Sequence, residues 1–349
     1  MNRAATIALA PLSLLYGAAM STRSALYRRQ TFRADRVAAP VISVGNITTG
    51  GTGKSPLVAW IARELSNRGR RVCILTRGYG RSNQHQRVVV SDGQEILSDV
   101  AHASDEPMML AEALRGRAAI VCDADRVSAA TWAIENLNSD VLILDDGFQH
   151  QRISRDLDIV TVDATNPFGN GWLLPAGDLR EPVGGLRRAN CIVTTRTGAV
   201  EPTDLYERLA ELTDAPILKS RTLVTAIRAL KTTQPIDEQS LRNTALAAFC
   251  AIGNPNAFFE QLRNGGLDVQ YTAAFRDHHV YSQTDIDHLT RESREHGAQV
   301  LLTTTKDAVK LRELRFELPC YVVETEVEIA GADKLLSLID SAIARQARS

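Results

Sequence analysis

Val41-Ile42-Ser43-Val44-Gly45-Asn46-Ile47-Thr48-Thr49-Gly50-Gly51-Thr52-Gly53-Lys54-Ser55-Pro56 is the stretch whose reading decides the fold. An apolar run rich in β-branched residues ends at Gly45, a glycine-rich turn follows, and Lys54-Ser55 opens a helix carrying Ala59, Ile61, Ala62 and Leu65. Strand, glycine-rich turn and helix in that order make a phosphate-binding loop. Glycines let backbone N–H groups turn inward around phosphate oxygens, and the helix N-terminus adds its positive dipole end. Lys54 adds a full charge, and Ser55 is placed to ligate a nucleotide-bound magnesium. The cradle is therefore expected over Thr48, Thr49, Gly50, Gly51, Thr52, Gly53, Lys54 and Ser55, with Thr48 standing where the consensus has its first glycine.

The chain has 349 residues, 44% hydrophobic and 23% charged, which is ordinary globular composition with room for two cores. A formal net charge of −1 argues against a general nucleic-acid binder, which carries a basic excess to neutralise phosphates. Cys73, Cys122, Cys191, Cys250 and Cys320 are odd in number, far apart and set in mostly apolar runs, so they read as reduced core thiols.

Residues 4–20 are apolar and are followed by Arg23, Arg28, Arg29, Arg33 and Arg36. The run is shorter than the roughly 20 residues of a spanning helix and is interrupted by Pro11, Ser13 and Gly17. A cleaved signal peptide would export a protein whose loop needs intracellular nucleotide. Thr6, Ala10, Ser13, Gly17, Ser21, Ser24 and Arg28 recur at helical spacing as a small or polar stripe, with Leu9, Leu12, Leu15, Tyr16 and Met20 elsewhere around the helix. That pattern suits a helix lying in a membrane surface, its arginines each contributing about 1 kcal/mol at anionic headgroups. A helix packed on its own domain is the competing reading.

A second strong signal is Val141-Leu142-Ile143-Leu144-Asp145-Asp146-Gly147-Phe148-Gln149-His150, where a strand delivers carboxylates to the edge of a parallel sheet. Asp145 and Asp146 are the expected magnesium ligands together with Ser55. Arg77 in Arg77-Gly78-Tyr79-Gly80-Arg81, Arg126 after Asp123-Ala124-Asp125, and Gln149 are candidate phosphate or substrate contacts. Ser104-Asp105-Glu106-Pro107 opens a helix, and a helix-capping role competes with a functional one for Asp105. The alternating strands and helices predict an α/β, doubly wound, mostly parallel sheet of the phosphate-loop nucleotidase type. Residues 1–36 are expected as the interfacial helix and basic segment, 37–216 as the nucleotide-binding domain, 217–236 as an extended linker, and 237–349 as a smaller α/β domain. In that last domain Phe275-Arg276-Asp277-His278-His279-Val280-Tyr281 lacks metal-ligand spacing, so one histidine is expected to cap or to pack. Ser282 with Asp285 predicts a helix start. Thr305-Lys306-Asp307-Ala308 misplaces the acid for a guanine-recognition box.

Taken in order, VGNITTGGTGKSP, TRGYGR, SDEP, LDDGFQH, LPAGDLREP, AIGNP, FRDHHVY and TTKDAVKL resemble the tetraacyldisaccharide 4′-kinases, the lipid A kinases of Gram-negative bacteria. Asp178 departs from the proline usual in that family, and Thr305 from an acidic residue. The resemblance implies transfer of the ATP γ-phosphoryl group to the 4′-hydroxyl of a lipid A disaccharide 1-phosphate, with ATP and Mg2+ bound. It also implies a site between two domains at the cytoplasmic face of the inner membrane, whose lipid surface is the expected partner; no obligate protein partner is inferred. It makes Asp105 the base facing the acceptor hydroxyl, oriented by His278, with Lys54 stabilising phosphate charge. A phosphate-loop ATPase acting as a switch or chaperone for a membrane partner, or a soluble-sugar kinase, are the alternatives.

Overall fold

The computed structural model describes residues 3–197 and 203–347. Residues 1–2, 198–202 and 348–349, which fall within the expected domain ranges, lie outside the described residues. Elements run α1 (Arg3–Arg28), β1 (Val41–Gly45), α2 (Lys54–Asn67), β2 (Val72–Thr76), β3 (Val88–Asp92), α3 (Val100–Ala103), α4 (Asp105–Ala113), β4 (Ala118–Cys122), α5 (Arg126–Leu137), β5 (Val141–Asp145), β6 (Leu157–Asp163), β7 (Cys191–Thr195), α6 (Leu205–Leu212) and β8 (Ile217–Ala229). The chain continues through β9 (Pro235–Ile236), α7 (Glu238–Leu241), β10 (Leu246–Cys250), α8 (Pro255–Asn264), β11 (Val269–Ala274), α9 (Gln283–Glu295), β12 (Val300–Thr304), α10 (Thr305–Leu311), β13 (Cys320–Ile329) and α11 (Ala332–Gln346).

Among the described residues the strands join in one sheet, ordered β11-β10-β12-β13-β8-β7-β6-β1-β5-β2-β4-β3 with β9 on β8. β1 is central to the first half because Val41, Ile42, Ser43, Val44 and Gly45 are buried on both faces, as a parallel strand covered by helices must be. It pairs parallel with β5, Val44 opposite Asp145, and with β6, Gly45 opposite Val160. The phosphate loop and the carboxylates of β5 therefore leave the same sheet edge side by side. Helix α2 seals one face with Leu57, Val58, Ile61, Ala62 and Leu65 buried at helical spacing. Each large side chain of that stripe contributes about 1.5–3 kcal/mol on burial. Gly45 lets the turn close, since a Cβ there would meet the Phe148 Cβ at 2.5 Å.

Residues 217–236, expected as an extended linker, form β8 and β9. β8 runs parallel to β7 at Ile217–Lys219 and antiparallel to β13 over Ser220–Ala229, so one strand serves both halves. Because β13 runs back along β8, it returns the chain to the first half. Leu335, Ile339, Ala342 and Ile343 of α11 pack with Val327 and Ile329 in the core built around α2 and β1. The range 237–349 expected as a second domain thus leaves its last helix on the first core. The second half proper packs Phe249, Leu301 and Leu311 on one face and Leu246, Phe258 and Leu302 on the other.

Helix α1 lies on the protein through the small stripe. Ser13 Oγ donates to Leu173 O at 2.7 Å and accepts from Ala176 N–H at 2.9 Å, and Tyr16 Oη donates to Arg180 O at 2.7 Å. At Gly17 a Cβ would meet Leu173 Cδ1 at 2.5 Å. Outward face Ile7, Leu12, Leu14 and Leu15, exposed at 69, 54, 69 and 69%. Among the described residues no helix is long and apolar enough to cross a membrane.

Candidate active site between the halves of the sheet

The phosphate loop is shaped by its own polar residues. Asn46 Nδ2 donates to Thr52 Oγ1 at 2.9 Å, and Thr52 shares a 2.8 Å hydrogen bond with Thr161 of β6. Gly50 and Gly53 turn the loop at φ of 91° and 77°, where a side chain would be strained. Thr49 N–H donates to the Asp178 carbonyl at 2.6 Å. From the second half, Gly253 comes so close that its Cβ would lie 2.8 Å from Gly51 N. Arg196, ion-paired with Asp163, donates to Gly51 O at 2.6 Å.

Lys54 opens α2 and reaches Asp146, with Nζ 3.4 Å from Oδ1, while Arg180 Nη1 is 2.5 Å from Asp146 Oδ2. Burial works to raise the Asp146 carboxyl, but Lys54 and Arg180 outweigh it and hold it below the usual carboxylate range. Asp145 is the opposite case. Burial, then the charges of Glu106 and Asp146, push it up to about 7, against a smaller pull from Lys54 and Arg126. Its Oδ1 is buried without a hydrogen-bond partner. An orphaned buried carboxylate oxygen next to Asp146 is the kind of donor that a hard divalent cation takes, so these carboxylates fit magnesium. No group of three or more His, Cys, Asp or Glu gathers for a metal among the described residues. A nucleotide-bound magnesium needs only one or two carboxylates, because phosphates and water complete its shell.

Arg126, buried at 4% exposure, donates to the carbonyls of Asp123 and Ala124 and feels the charges of Asp145, Arg77 and Asp146. Burial lowers its pKa to about 10. Arg77 thus lies in the same charged neighbourhood. The Gln149 amide donates to Asn46 O and Glu181 Oε1, both at 2.7 Å, tying the β5 turn to the phosphate loop.

The second cluster spans the halves. Asp105 is the first residue of α4, with Ser104 before it as N-cap, and its Oδ1 accepts only the Glu106 N–H, at 3.0 Å, from its own helix. That bond satisfies the N2 donor from position N1, a contact one residue along rather than the two- or three-residue reach of an N-cap side chain. Instead Nδ1 of His278 lies 2.9 Å from Oδ1 and 3.1 Å from Oδ2. Lys310 Nζ is 3.4 Å from Oδ2. Burial alone would raise Asp105; the His278 hydrogen bond and the charges of Lys306, His278 and Lys310 bring it down to about 2. The same hydrogen bond raises His278 against its own burial. His279 is structural, stacked on Phe275 and 3.2 Å from Asp285. Ser282 and Asp285 close the expected capping box.

Lys306, Lys310, Glu106, Arg180 and Arg196 were not singled out by sequence reasoning. Lys306 bridges Glu106 at 3.2 Å and Asp277 at 3.0 Å, across the two halves. Position carries part of their signal: Arg196 follows β7, and Glu106 and Lys306 lie in the first turns of α4 and α10.

A family model for tetraacyldisaccharide-1-P 4′-kinase matches residues 5–344. The chain is 39% identical over 344 residues to the tetraacyldisaccharide 4′-kinase of Geobacter metallireducens, covering 98% of this chain and 100% of that protein. It is 39% identical over 325 residues to that of Pelobacter propionicus, covering 93% and 88%. A crystal structure of LpxK from Aquifex aeolicus in complex with ATP superposes with a TM-score of 0.79 at 31% identity, over 97% of this chain and 99% of that one. Matches running the whole length, through both halves of the sheet and the helix before them, show that the chain belongs to the tetraacyldisaccharide 4′-kinase family.

Proposed function

We propose that the two clusters act as one site, moving the γ-phosphoryl group of ATP to the 4′-hydroxyl of a tetraacyldisaccharide 1-phosphate. The observation that carries this reading is the meeting of Asp105, from the nucleotide-binding half, with His278 from the other. Backbone N–H groups of residues 48–54 cradle the phosphates and Lys54 neutralises charge on the transferring group. In this structure Lys54 rests on Asp146, a pairing that nucleotide phosphates would replace. Magnesium, when bound, supplies charge neutralisation on the β- and γ-phosphates, and Ser55, Asp145 and Asp146 would hold it. Arg77 and Arg126 add positive charge on the acceptor side of Asp145.

Asp105 faces the acceptor hydroxyl as base. Its low pKa suits this step, because phosphoryl transfer passes through a loose transition state in which the hydroxyl proton leaves late and orientation matters most. His278 holds the carboxylate from the other half, so both halves contribute to one base.

The outward apolar residues of α1, Ile7, Leu12, Leu14 and Leu15, would lie in the inner-membrane surface on its cytoplasmic face, where the acyl chains of the acceptor are anchored. A switch ATPase needs neither that face nor a cross-half carboxylate–histidine pair. The test is incubation with γ-labelled ATP and purified disaccharide 1-phosphate in mixed micelles. Label should pass to lipid with wild-type protein and not with Asp105→Ala. Label released as free phosphate at the same rate with and without lipid would overturn the kinase reading in favour of the switch.

A further inference from the structure

Lys310 is a lysine at 6% side-chain exposure, set between two carboxylates, and the mechanism above gives it no role. Its Nζ lies 3.4 Å from Asp105 Oδ2 in the nucleotide-binding half and 3.4 Å from Asp307 Oδ1 one turn back on α10. Asp307 is fully buried and already saturated with donors from its own half. Ala251 N–H reaches both its oxygens, at 3.2 and 3.1 Å, Tyr281 Oη donates to Oδ1 at 3.0 Å, and Thr304 Oγ1 donates to Oδ2 at 2.7 Å. These donors come from β12, the end of β10 and the turn after β11, so Asp307 is fixed to the frame of the second half. Its hydrogen bonding is complete without the ammonium. The remaining direction of Lys310 is across the interface, where it meets Asp105.

A carboxylate offers about four acceptor sites. On Asp105, Glu106 N–H reaches Oδ1, Lys310 Nζ reaches Oδ2, and His278 Nδ1 lies 2.9 and 3.1 Å from the two oxygens. We infer that Lys310, anchored on Asp307, is a positioning residue that fixes the rotation of the Asp105 carboxylate, so that the acceptor hydroxyl meets it in one orientation. This rests on the reading of Asp105 as base. Lys306, one turn earlier on α10, acts on Asp105 by its charge while its contacts go to Glu106 and Asp277, so the ammonium in direct contact with Asp105 is that of Lys310. Without Lys310 the carboxylate would keep two of its three restraints and rotate about its Cβ–Cγ bond, so the hydroxyl would be aligned in a smaller share of encounters.

The test is steady-state kinetics on full-length Lys310→Met and Lys310→Arg, each in the wild-type and the Asp105→Ala background. Lys310→Met should lower kcat about 10- to 100-fold with KM for ATP and lipid nearly unchanged. Lys310→Arg, which keeps the charge, should recover part of the loss. In Asp105→Ala neither change should lower kcat further, since there is no carboxylate left to position. Equal losses in both backgrounds, or losses confined to KM, would overturn the role by showing that Lys310 serves only the fold or substrate affinity. Melting curves accompany every variant. Should Lys310→Met not fold, Lys310→Arg carries the same comparison, because it still balances Asp307 while changing the reach to Asp105. Full activity in Asp105→Ala would remove the reading of Asp105 itself. An inactive Asp105→Ala beside fully active Lys310 variants would remove only the positioning role.

Discussion

His278 Nδ1 lies 2.9 Å from the Asp105 carboxylate although 173 residues separate them in the chain. Neither residue needs the other for its local structure: the N-cap of α4 is Ser104 rather than Asp105, and His278 sits in a turn at a φ of 63°. A strained turn that presents a ring to a buried carboxylate is best understood through what the pair does. Asp105→Ala should therefore lower kcat by about 10²- to 10⁴-fold with little change in apparent ATP affinity. Combined with His278→Ala it should be scarcely worse than the more damaging single change. Steady-state kcat and KM across the double-mutant cycle check this, and simple additivity would show two independent residues.

Lys54 opens α2 and contacts Asp146, a carboxylate that Arg180 also holds, and it is the cation carried by the phosphate loop itself. Lys54→Ala should lose at least about a hundredfold in kcat while the protein stays folded. Near-normal turnover with an unaltered melting curve would remove Lys54 from the transfer step.

Acid should act on the cross-half pair. The Asp105 carboxyl is depressed to about 2, so it stabilises the folded state fully above the unfolded pKa near 4, and that stabilisation fades as pH falls towards 2. Asp105→Asn should flatten the melting temperature against pH across that window, with the wild type losing stability and the variant losing less. Parallel curves for the two proteins would contradict the depressed value.

Gly45 is a packing requirement. With a Cβ 2.5 Å from Phe148 Cβ and 2.8 Å from its backbone nitrogen, Gly45→Ala must push β1 away from the turn after β5. A loss of about 1–3 kcal/mol in unfolding free energy is expected, with weakened nucleotide binding because both segments carry the site. Chemical denaturation measures the first and equilibrium nucleotide titration the second.

The two faces of α1 should separate experimentally. Replacing Leu12, Leu14 and Leu15 by serine should weaken binding to anionic vesicles and leave melting and nucleotide binding alone, because those side chains face outward. Ser13→Val acts on the opposite face, breaking the bonds to Leu173 and Ala176 in the segment that also holds Thr49 and Asp146 through Asp178 and Arg180. It should lower stability with vesicle binding retained. Equal effects of both changes on vesicle binding would mean that the helix has no distinct lipid face.

The sequence by itself determined the nucleotide-binding half. Strand, glycine turn and helix are contiguous from Val41 to Asn67, and Asp145 ends an apolar run, so both signals are written in local order and need only the parallel pairing of β1 with β5 to meet. The resemblance of the motifs also named Asp105 with His278. Tertiary structure alone decided the surroundings of that pair. Lys306 and Lys310 read in one dimension as charges on a short helix. They become buried partners of Glu106 and Asp105 only because α10 docks on α4, some 200 residues away in sequence. For Gln149 the motif gives only the residue; that its amide ties Asn46 O to Glu181 is decided by where the neighbouring turns fall. The orientation of α1 was likewise undetermined by periodicity, which finds two faces without saying which one meets protein. Steric fit decided it: Ser13 and Gly17 are small enough to admit Leu173 and its backbone, and the leucines are left outside.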